Sequence, residues 1–136
     1  TMKIKRLEHV AITVKDMDKA RDTWVNVLGI GQEYEEQIGE TKLAMLPIGQ
    51  TYIELLEATG PDSPVNEWMD KAGESLWHLC FEVEDIDSAV IELKGKGVKL
   101  LNDEPKPGHG GSCIVFLDPA STGNVLIELA EIPEGH

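Results

Sequence analysis

The chain has 136 residues, and 25 acidic against 12 basic residues give it a formal net charge of −13. This length suits one domain, and its 41% of hydrophobic residues can form a packed core, which excludes a disordered chain. The negative charge without a basic run excludes nucleic acid as an expected partner, and no apolar stretch approaches the roughly 20 residues of a membrane span.

The first residues have no long apolar core and no small-residue cleavage site, so the sequence predicts no signal peptide. Cys80 and Cys113 each lie in an apolar run, which indicates reduced core cysteines rather than a disulfide. Together these features predict a cytoplasmic protein with neither nucleic acid nor membrane as partner.

The first half of the chain predicts the order strand, helix and three strands. Residues 9–14 alternate as a half-buried strand does, and Asp16 can cap the helix that follows. Gly29 is expected to end this helix. One stripe of the helix carries the apolar residues Met17, Ala20, Trp24, Val27 and Leu28. Three weaker strands are expected near residues 32–37, 42–47 and 51–56.

The second half repeats this order. Residues 78–83 predict a strand, Asp85 a helix cap and Gly97 the end of that helix. The helix carries four apolar residues on one face, Ile86, Ala89, Val90 and Leu93. Strands are expected near residues 98–101, 112–117 and 124–130. Between the halves, Ser63 as cap and Pro64 at the first helical position predict a short helix that ends near Ala72.

An internal repeat relates the two halves. LEHVAITVKDMDKA (residues 7–20) matches LWHLCFEVEDIDSA (residues 76–89), and YIELLE matches LIELAE at the end of each half. We therefore predict a single domain over residues 1–136. Its parts are a first module, a linker helix and a second module, at about residues 4–58, 59–74 and 75–131.

The repeat places two histidines and two glutamates at matching positions. Because strand side chains alternate between faces, we expect four polar side chains on the sheet face away from the helices: His9, Glu54, His78 and Glu128. If the halves pair about a pseudo-twofold axis, these residues converge. Two imidazoles and two carboxylates suit a divalent ion such as Co, Zn, Mn, Ni or Fe. Such a cation also offsets the cost of semi-buried carboxylates.

Each of these residues taken alone has a simpler interpretation. Glu54 by itself predicts a solvent-exposed side chain, and a lone strand histidine predicts a structural hydrogen bond. The recurrence of both residue types at matching ends of both halves favours the metal site. His109, in the PGHGGS loop, is expected to be exposed, with substrate contact as the alternative. His136 is terminal, and Cys80 is expected to be a small filler residue on the ligand face.

Several motifs of the chain resemble a known family. They are HVAITV, AMLPIGQTYIELLE, GVKLLNDEPKPGHGGS and FLDPASTGNVLIELAE. Together with the quartet above, they resemble the vicinal oxygen chelate superfamily and, within it, the methylmalonyl-CoA epimerases along nearly the whole chain. The resemblance implies an α+β fold in which two paired βαβββ modules form a cupped mixed sheet around the metal.

The resemblance also implies an activity, namely interconversion of (2R)- and (2S)-methylmalonyl-CoA through a metal-stabilised enolate. Racemisation needs a base on one face of the reacting carbon and an acid on the other. The resemblance implies that Glu128 is one of them, beside the metal, and that Lys106 and Ser121 contact the substrate. It further implies cobalt ahead of zinc, manganese or nickel, an acyl-CoA ligand and a homodimer.

The sequence departs from the family at the second acid/base. The family's other glutamate falls on the strand TKLAMLP, where this chain has Lys42 or Leu43 depending on alignment. Glu54 or Glu40 is then the candidate for this role.

Three other functions remain open at this point. A glyoxalase I uses the same ligand types on a glutathione hemithioacetal. A ring-cleaving dioxygenase of this superfamily needs two histidines and one carboxylate, so a fourth protein ligand disfavours it. A non-catalytic binding module of the same fold typically lacks the metal quartet.

Overall fold

A computed structural model of the protein describes residues 1–134, so His136 lies outside the described residues. The chain divides into two compact units. One unit is His9–Trp77, and the other combines Thr1–Glu8 with the chain from His78 onward. None of the helices in the described part of the chain has the length and apolar character that crossing a membrane requires. The predicted module boundaries stay a prediction.

The unit His9–Trp77 contains four strands in the order β2-β3-β4-β1. The strands are β1 (Ile4–Thr13, of which the part from His9 belongs to this unit), β2 (Tyr34–Ile38), β3 (Thr41–Ile48) and β4 (Thr51–Ala58). β1 pairs with β4 in parallel, whereas β2, β3 and β4 form antiparallel pairs. Two helices complete the unit, α1 (Met17–Arg21) and α2 (Val65–Ala72).

The two faces of this sheet are covered by different helices. On one face Ile12 and Val14 of β1 pack in a cluster with Met17 of α1, as the alternation predicts. On the other face a second cluster lies under α2 and contains Ala11, Leu43, Met45, Leu56 and Val65. This second face carries His9 and Glu54, so the expectation that they lie on a sheet face away from the helices is wrong for this unit, because α2 packs on that face.

The first helix departs from its predicted stripe. After Arg21 the chain makes a π-helical segment, Asp22–Val27, in which the wider turn changes the angular position of each later residue. Val27 is consequently 73% exposed and Leu28 58% exposed, so the prediction that both lie on the packed stripe is wrong. It is correct for Met17, which is buried.

The other unit has the strand order β5-β8-β7-β6. Its strands are β5 (Ser75–Val83, of which the part from His78 belongs here), β6 (Lys106–Pro107), β7 (Cys113–Leu117) and β8 (Ile127–Glu131). β5 pairs with β8 in parallel, and the other pairs are antiparallel. Helix α3 (Ile86–Gly95) buries its four predicted apolar residues against Val115, Leu117 and Leu129.

Side-chain caps begin α1 and α3, as predicted. The predicted start of α2 is wrong by one residue, because Pro64 is the cap residue and the helix begins at Val65. Asp16 accepts hydrogen bonds from the backbone N–H groups at the start of α1. Asp85 accepts one from the backbone N–H of Ser88, which lowers the pKa of this carboxyl below its usual value. The caps fix where each helix leaves its strand.

Two expectations for this unit are wrong. Residues 98–101 form no strand, and Leu100 makes only an isolated bridge to Leu117, while the two-residue β6 pairs with β7 instead. Both cysteines are free, but Cys113 is exposed, whereas Cys80 is buried as expected. Cys113 begins β7 and Ile114 is buried, because successive strand residues point to opposite faces.

The buried start of α2 provides a stability test. Val65 is 0% exposed in an apolar cluster, whereas Val27 is 73% exposed. We expect Val65→Ala to lower the free energy of unfolding by about 2 kcal/mol, since two buried methyl groups and their packing are lost. The matched control Val27→Ala should change it by less than about 0.5 kcal/mol. Urea unfolding of both variants measures this, and equal losses would contradict the packing described.

Candidate active site

A buried histidine–glutamate pair lies on the sheet of the unit His9–Trp77. His9 is 1% exposed and Glu54 is 4% exposed. The Nε2 atom of His9 lies 3.2 Å from Oε1 of Glu54. The strands position them because β1 and β4 run in parallel with Ala11 opposite Glu54, so His9 lies two residues earlier on the same face.

The other unit contains an equivalent pair. The Nε2 atom of His78 donates a hydrogen bond to Oε1 of Glu128 over 3.0 Å, and both residues are buried. β5 and β8 again run in parallel, with Cys80 opposite Glu128. In both units the histidine therefore lies two residues before the residue that faces the glutamate. The repeat seen in the sequence extends to the strand register.

Aromatic and basic side chains flank the His78–Glu128 pair. Phe116 lies opposite Glu128 in the β7–β8 register. Its ring meets the ring of His78 edge to face, with centroids 5.1 Å apart and planes at 87°. The ammonium of Lys106 lies 5.5 Å from the centroid of the Phe116 ring. Sequence reasoning named Lys106 but missed Phe116, whose only signal was its alternation with the buried Val115 and Leu117.

His109 is buried, so the expectation of an exposed loop histidine is wrong. It is 6% exposed, and its Nε2 atom donates to Oε1 of Glu8 over 2.9 Å. Glu8 is 1% exposed, and its other carboxylate oxygen lies 3.8 Å from Arg6. The loop reaches this position through Gly110 and Gly111, which have φ values of 61° and 78°. Nothing local in the sequence pairs residues so far apart in the chain.

Two serines occupy different environments near the ends of β7. Ser112 is buried, and in the described part of the chain its Oγ atom has no hydrogen-bond partner. A Cβ at Gly108 would lie 2.6 Å from that oxygen, so this position requires glycine. Ser121, a predicted substrate contact, is exposed, and its hydroxyl accepts from the backbone N–H of Lys99 over 3.4 Å.

The structure narrows the choice of a second acid/base. Of the two β3 candidates, Lys42 and Leu43, the one on the face of Glu54 is Leu43, and it is buried in the apolar cluster under α2. Lys42 points to the opposite face. The carboxylate of Glu40 accepts from the backbone N–H of Asp62 over 2.7 Å and so holds a loop. Neither β3 position provides a carboxylate on the face that carries Glu54.

Each pair provides the donor types that bind divalent transition metals. Imidazole nitrogen and carboxylate oxygen are ligands for zinc, cobalt, manganese and nickel. Both glutamates are buried, so the solvent-exposed interpretation of Glu54 is wrong. A buried carboxylate needs a positive or hydrogen-bonding partner, and the imidazole beside each glutamate is such a partner. The residues present therefore fit a metal ion.

Comparisons with known proteins agree with this arrangement. Residues 8–116 match the sequence profile of the Glyoxalase/Bleomycin resistance protein/Dioxygenase superfamily. The structure is similar to that of a variant of the Streptomyces coelicolor methylmalonyl-CoA epimerase in complex with 2-nitronate-propionyl-CoA. The TM-score is 0.91 at 33% identity over 97% of each chain. The predicted α+β class, with eight strands in two βαβββ modules, is thereby confirmed.

Two sequence relatives cover most of the chain. The mitochondrial methylmalonyl-CoA epimerase of Bos taurus is 38% identical over 130 residues, which span 93% of this chain and 74% of that protein. The ethylmalonyl-CoA/methylmalonyl-CoA epimerase of Cereibacter sphaeroides is 37% identical over 134 residues, which span 95% of this chain and 99% of that protein. The chain therefore belongs to the methylmalonyl-CoA epimerase family of the glyoxalase/bleomycin resistance protein/dioxygenase superfamily.

Proposed function

We propose that the protein is a metal-dependent epimerase that interconverts (2R)- and (2S)-methylmalonyl-CoA. The observation that carries this proposal is the buried histidine–glutamate pair that recurs in the same strand register in both units. Membership of the epimerase family supplies the substrate class. The reaction moves one proton at the carbon between the thioester and the carboxylate of the substrate.

The proposed metal ligands are His9, Glu54, His78 and Glu128. Their burial and donor types support a divalent ion, with cobalt as the foremost candidate and zinc, manganese or nickel as alternatives. When bound, such an ion supplies positive charge that stabilises the negative charge developing on the substrate oxygens. The contact between each imidazole and its carboxylate, a hydrogen bond for His78 and Glu128 and a 3.2 Å approach for His9 and Glu54, orients both side chains.

The proton transfer itself is assigned to carboxylates of the chain. Glu128 takes or returns the proton on one face of the reacting carbon, and its contact with His78 fixes the carboxylate for that step. Glu54 is the proposed partner on the other face. The β3 position on this face is Leu43, which has no acidic group. The carboxylate of Glu40 already accepts a hydrogen bond from the backbone N–H of Asp62.

Substrate binding needs local positive charge because the chain carries a net charge of −13 and the acyl-CoA is an anion. The exposed ammonium of Lys106 beside Phe116 supports its assignment as an anion contact. Ser121 is the second proposed contact, on the loop between β7 and β8. We also propose that the protein forms a homodimer and lies in the cytoplasm. Its two free cysteines fit a reducing compartment.

The activity can be separated from that of a glyoxalase I, which would use the same ligand types. We expect the cobalt-loaded protein to exchange the acidic proton of methylmalonyl-CoA for deuterium and to interconvert the two epimers. Proton NMR in deuterium oxide measures both processes. Turnover of methylglyoxal with glutathione, without turnover of methylmalonyl-CoA, would reject the epimerase.

Removal of the Glu128 carboxylate tests its role as acid/base. We expect Glu128→Ala and Glu128→Gln to lower the exchange rate by roughly 100-fold or more, because general acid–base catalysis contributes about that much. Glu84→Gln, an exposed change in the same unit, serves as control. Exchange at the wild-type rate in both Glu128 variants, with metal still bound, would remove Glu128 from the mechanism.

The metal ligands are tested by binding rather than by turnover. We expect His9→Ala and His78→Ala each to weaken cobalt binding at least 10-fold, because one nitrogen ligand is lost. Thermal unfolding with increasing cobalt gives a second measurement. A metal that binds only the folded protein stabilises it by about 2.7 kcal/mol at 100 times its Kd. Unchanged metal stoichiometry and unchanged stabilisation in both variants would overturn the proposed site.

A further inference from the structure

We infer that Phe116 determines how large an alkyl group the acyl-CoA substrate can carry at its reacting carbon. This inference rests on the proposed function and names the group that would distinguish methylmalonyl-CoA from ethylmalonyl-CoA. It arises from the position of the ring, which contacts the ring of His78, lies opposite Glu128 in the strand register and has the Lys106 ammonium 5.5 Å from its centroid.

The strand register places Phe116 beside the proposed acid/base. Phe116 and Glu128 are directly opposite each other in the antiparallel pair of β7 and β8. Residues opposite each other in such a pair point to the same face, with Cβ atoms about 4.5–5.5 Å apart. The side chain of Phe116 therefore lies next to the Glu128 carboxylate on the face that carries His78.

Two backbone hydrogen bonds and one ring contact fix the position of Phe116. The backbone N–H of Phe116 donates to Oδ1 of Asn102 over 2.8 Å, and its carbonyl accepts from the N–H of Leu101 over 2.8 Å. The ring edge packs against the imidazole of His78. Turning the ring away would break this aromatic contact, which is worth about 0.5–1.5 kcal/mol in comparable pairs. Phe116 is only half-buried, so part of it remains available to a ligand.

The chemistry of the reaction then brings the alkyl group to the ring. A carboxylate oxygen that removes a proton must lie about 3 Å from the atom that carries it, so the reacting carbon lies close to Glu128. The alkyl substituent on that carbon comes within reach of the adjacent Phe116 ring. The ammonium of Lys106 near the same ring favours an orientation with the anionic part of the substrate toward the lysine. An ethyl group extends further toward the Phe116 ring than a methyl group, so the ring is expected to favour the methyl substituent.

The experiment measures selectivity. The ratio of kcat/KM for methylmalonyl-CoA to that for ethylmalonyl-CoA is determined in the wild type and in Phe116→Leu and Phe116→Ala. We expect the ratio to fall at least 10-fold in Phe116→Ala, with a smaller fall in Phe116→Leu. One methylene in an apolar pocket is worth about 10–200-fold in discrimination.

The chain offers a matched control. Phe81 is the other phenylalanine of the sequence, and it packs against the core cluster of α3, where it pairs in register with Leu129. Phe81→Leu loses the same atoms as Phe116→Leu but lies one residue from Cys80, on the opposite face of β5. We expect Phe81→Leu to leave the selectivity ratio within 2-fold of the wild type.

Two further readouts separate this inference from the proposed function. Cobalt affinity within 2-fold of the wild type in the Phe116 variants shows that the change does not act through His78. The affinities for propionyl-CoA and butyryl-CoA, measured by calorimetry, report alkyl size without turnover. A selectivity ratio and a binding ratio that are both unchanged in Phe116→Ala would overturn the inference. A wild-type protein inactive on both substrates would reject the proposed function instead, while the binding ratio still decides the role of Phe116.

Discussion

The fold brings a nitrogen-containing side chain next to each buried carboxylate that the structure describes, and the rest of the architecture follows from these pairs. Four glutamates are buried in the described part of the chain, and each has a nitrogen of another side chain within 3.2 Å. The pairs are Glu8–His109, Glu54–His9, Glu82–Arg6 and Glu128–His78. A carboxylate taken out of water without such a partner would cost several kcal/mol. Each pair therefore ties together strands or loops that lie far apart in the sequence.

The pairs in the two units form by the same rule. In each βαβββ module the first strand runs parallel to the last, and the helix after the first strand makes the connection possible. The histidine and the glutamate then occupy the same face because the side-chain period of a strand is two. A one-residue slip of either strand would move its histidine or glutamate to the opposite face, which packs against α1 or α3, so burial of the apolar residues also fixes the register of these pairs.

The two-residue period of the strands explains how much of the site could be predicted from the sequence. Alternation and the internal repeat are local in the sequence, and they were sufficient to place His9, Glu54, His78 and Glu128 on one face of their sheets. The Glu8–His109 contact depends on the path of a glycine-rich loop, which no period in the sequence encodes. Val27 is exposed because the chain forms a π-helical segment there. The spacing of apolar residues does not reveal such i→i+5 hydrogen bonding, so the sequence could not predict this exposure.

The two units share their histidine–glutamate pairs but differ in the residues that surround these pairs. Near Glu54 the opposite residue on β3 is Met45, and Leu43 and Leu56 continue an apolar cluster under α2. Near Glu128 the opposite residue is Phe116, with a lysine over its ring. The half-buried aromatic ring and the nearby cation beside Glu128 suit contact with an anionic substrate, whereas the surroundings of Glu54 are apolar. The internal repeat accounts for the recurrent histidine–glutamate pairs, and divergence of the neighbouring strands makes the His78–Glu128 side the one proposed to discriminate among acyl groups.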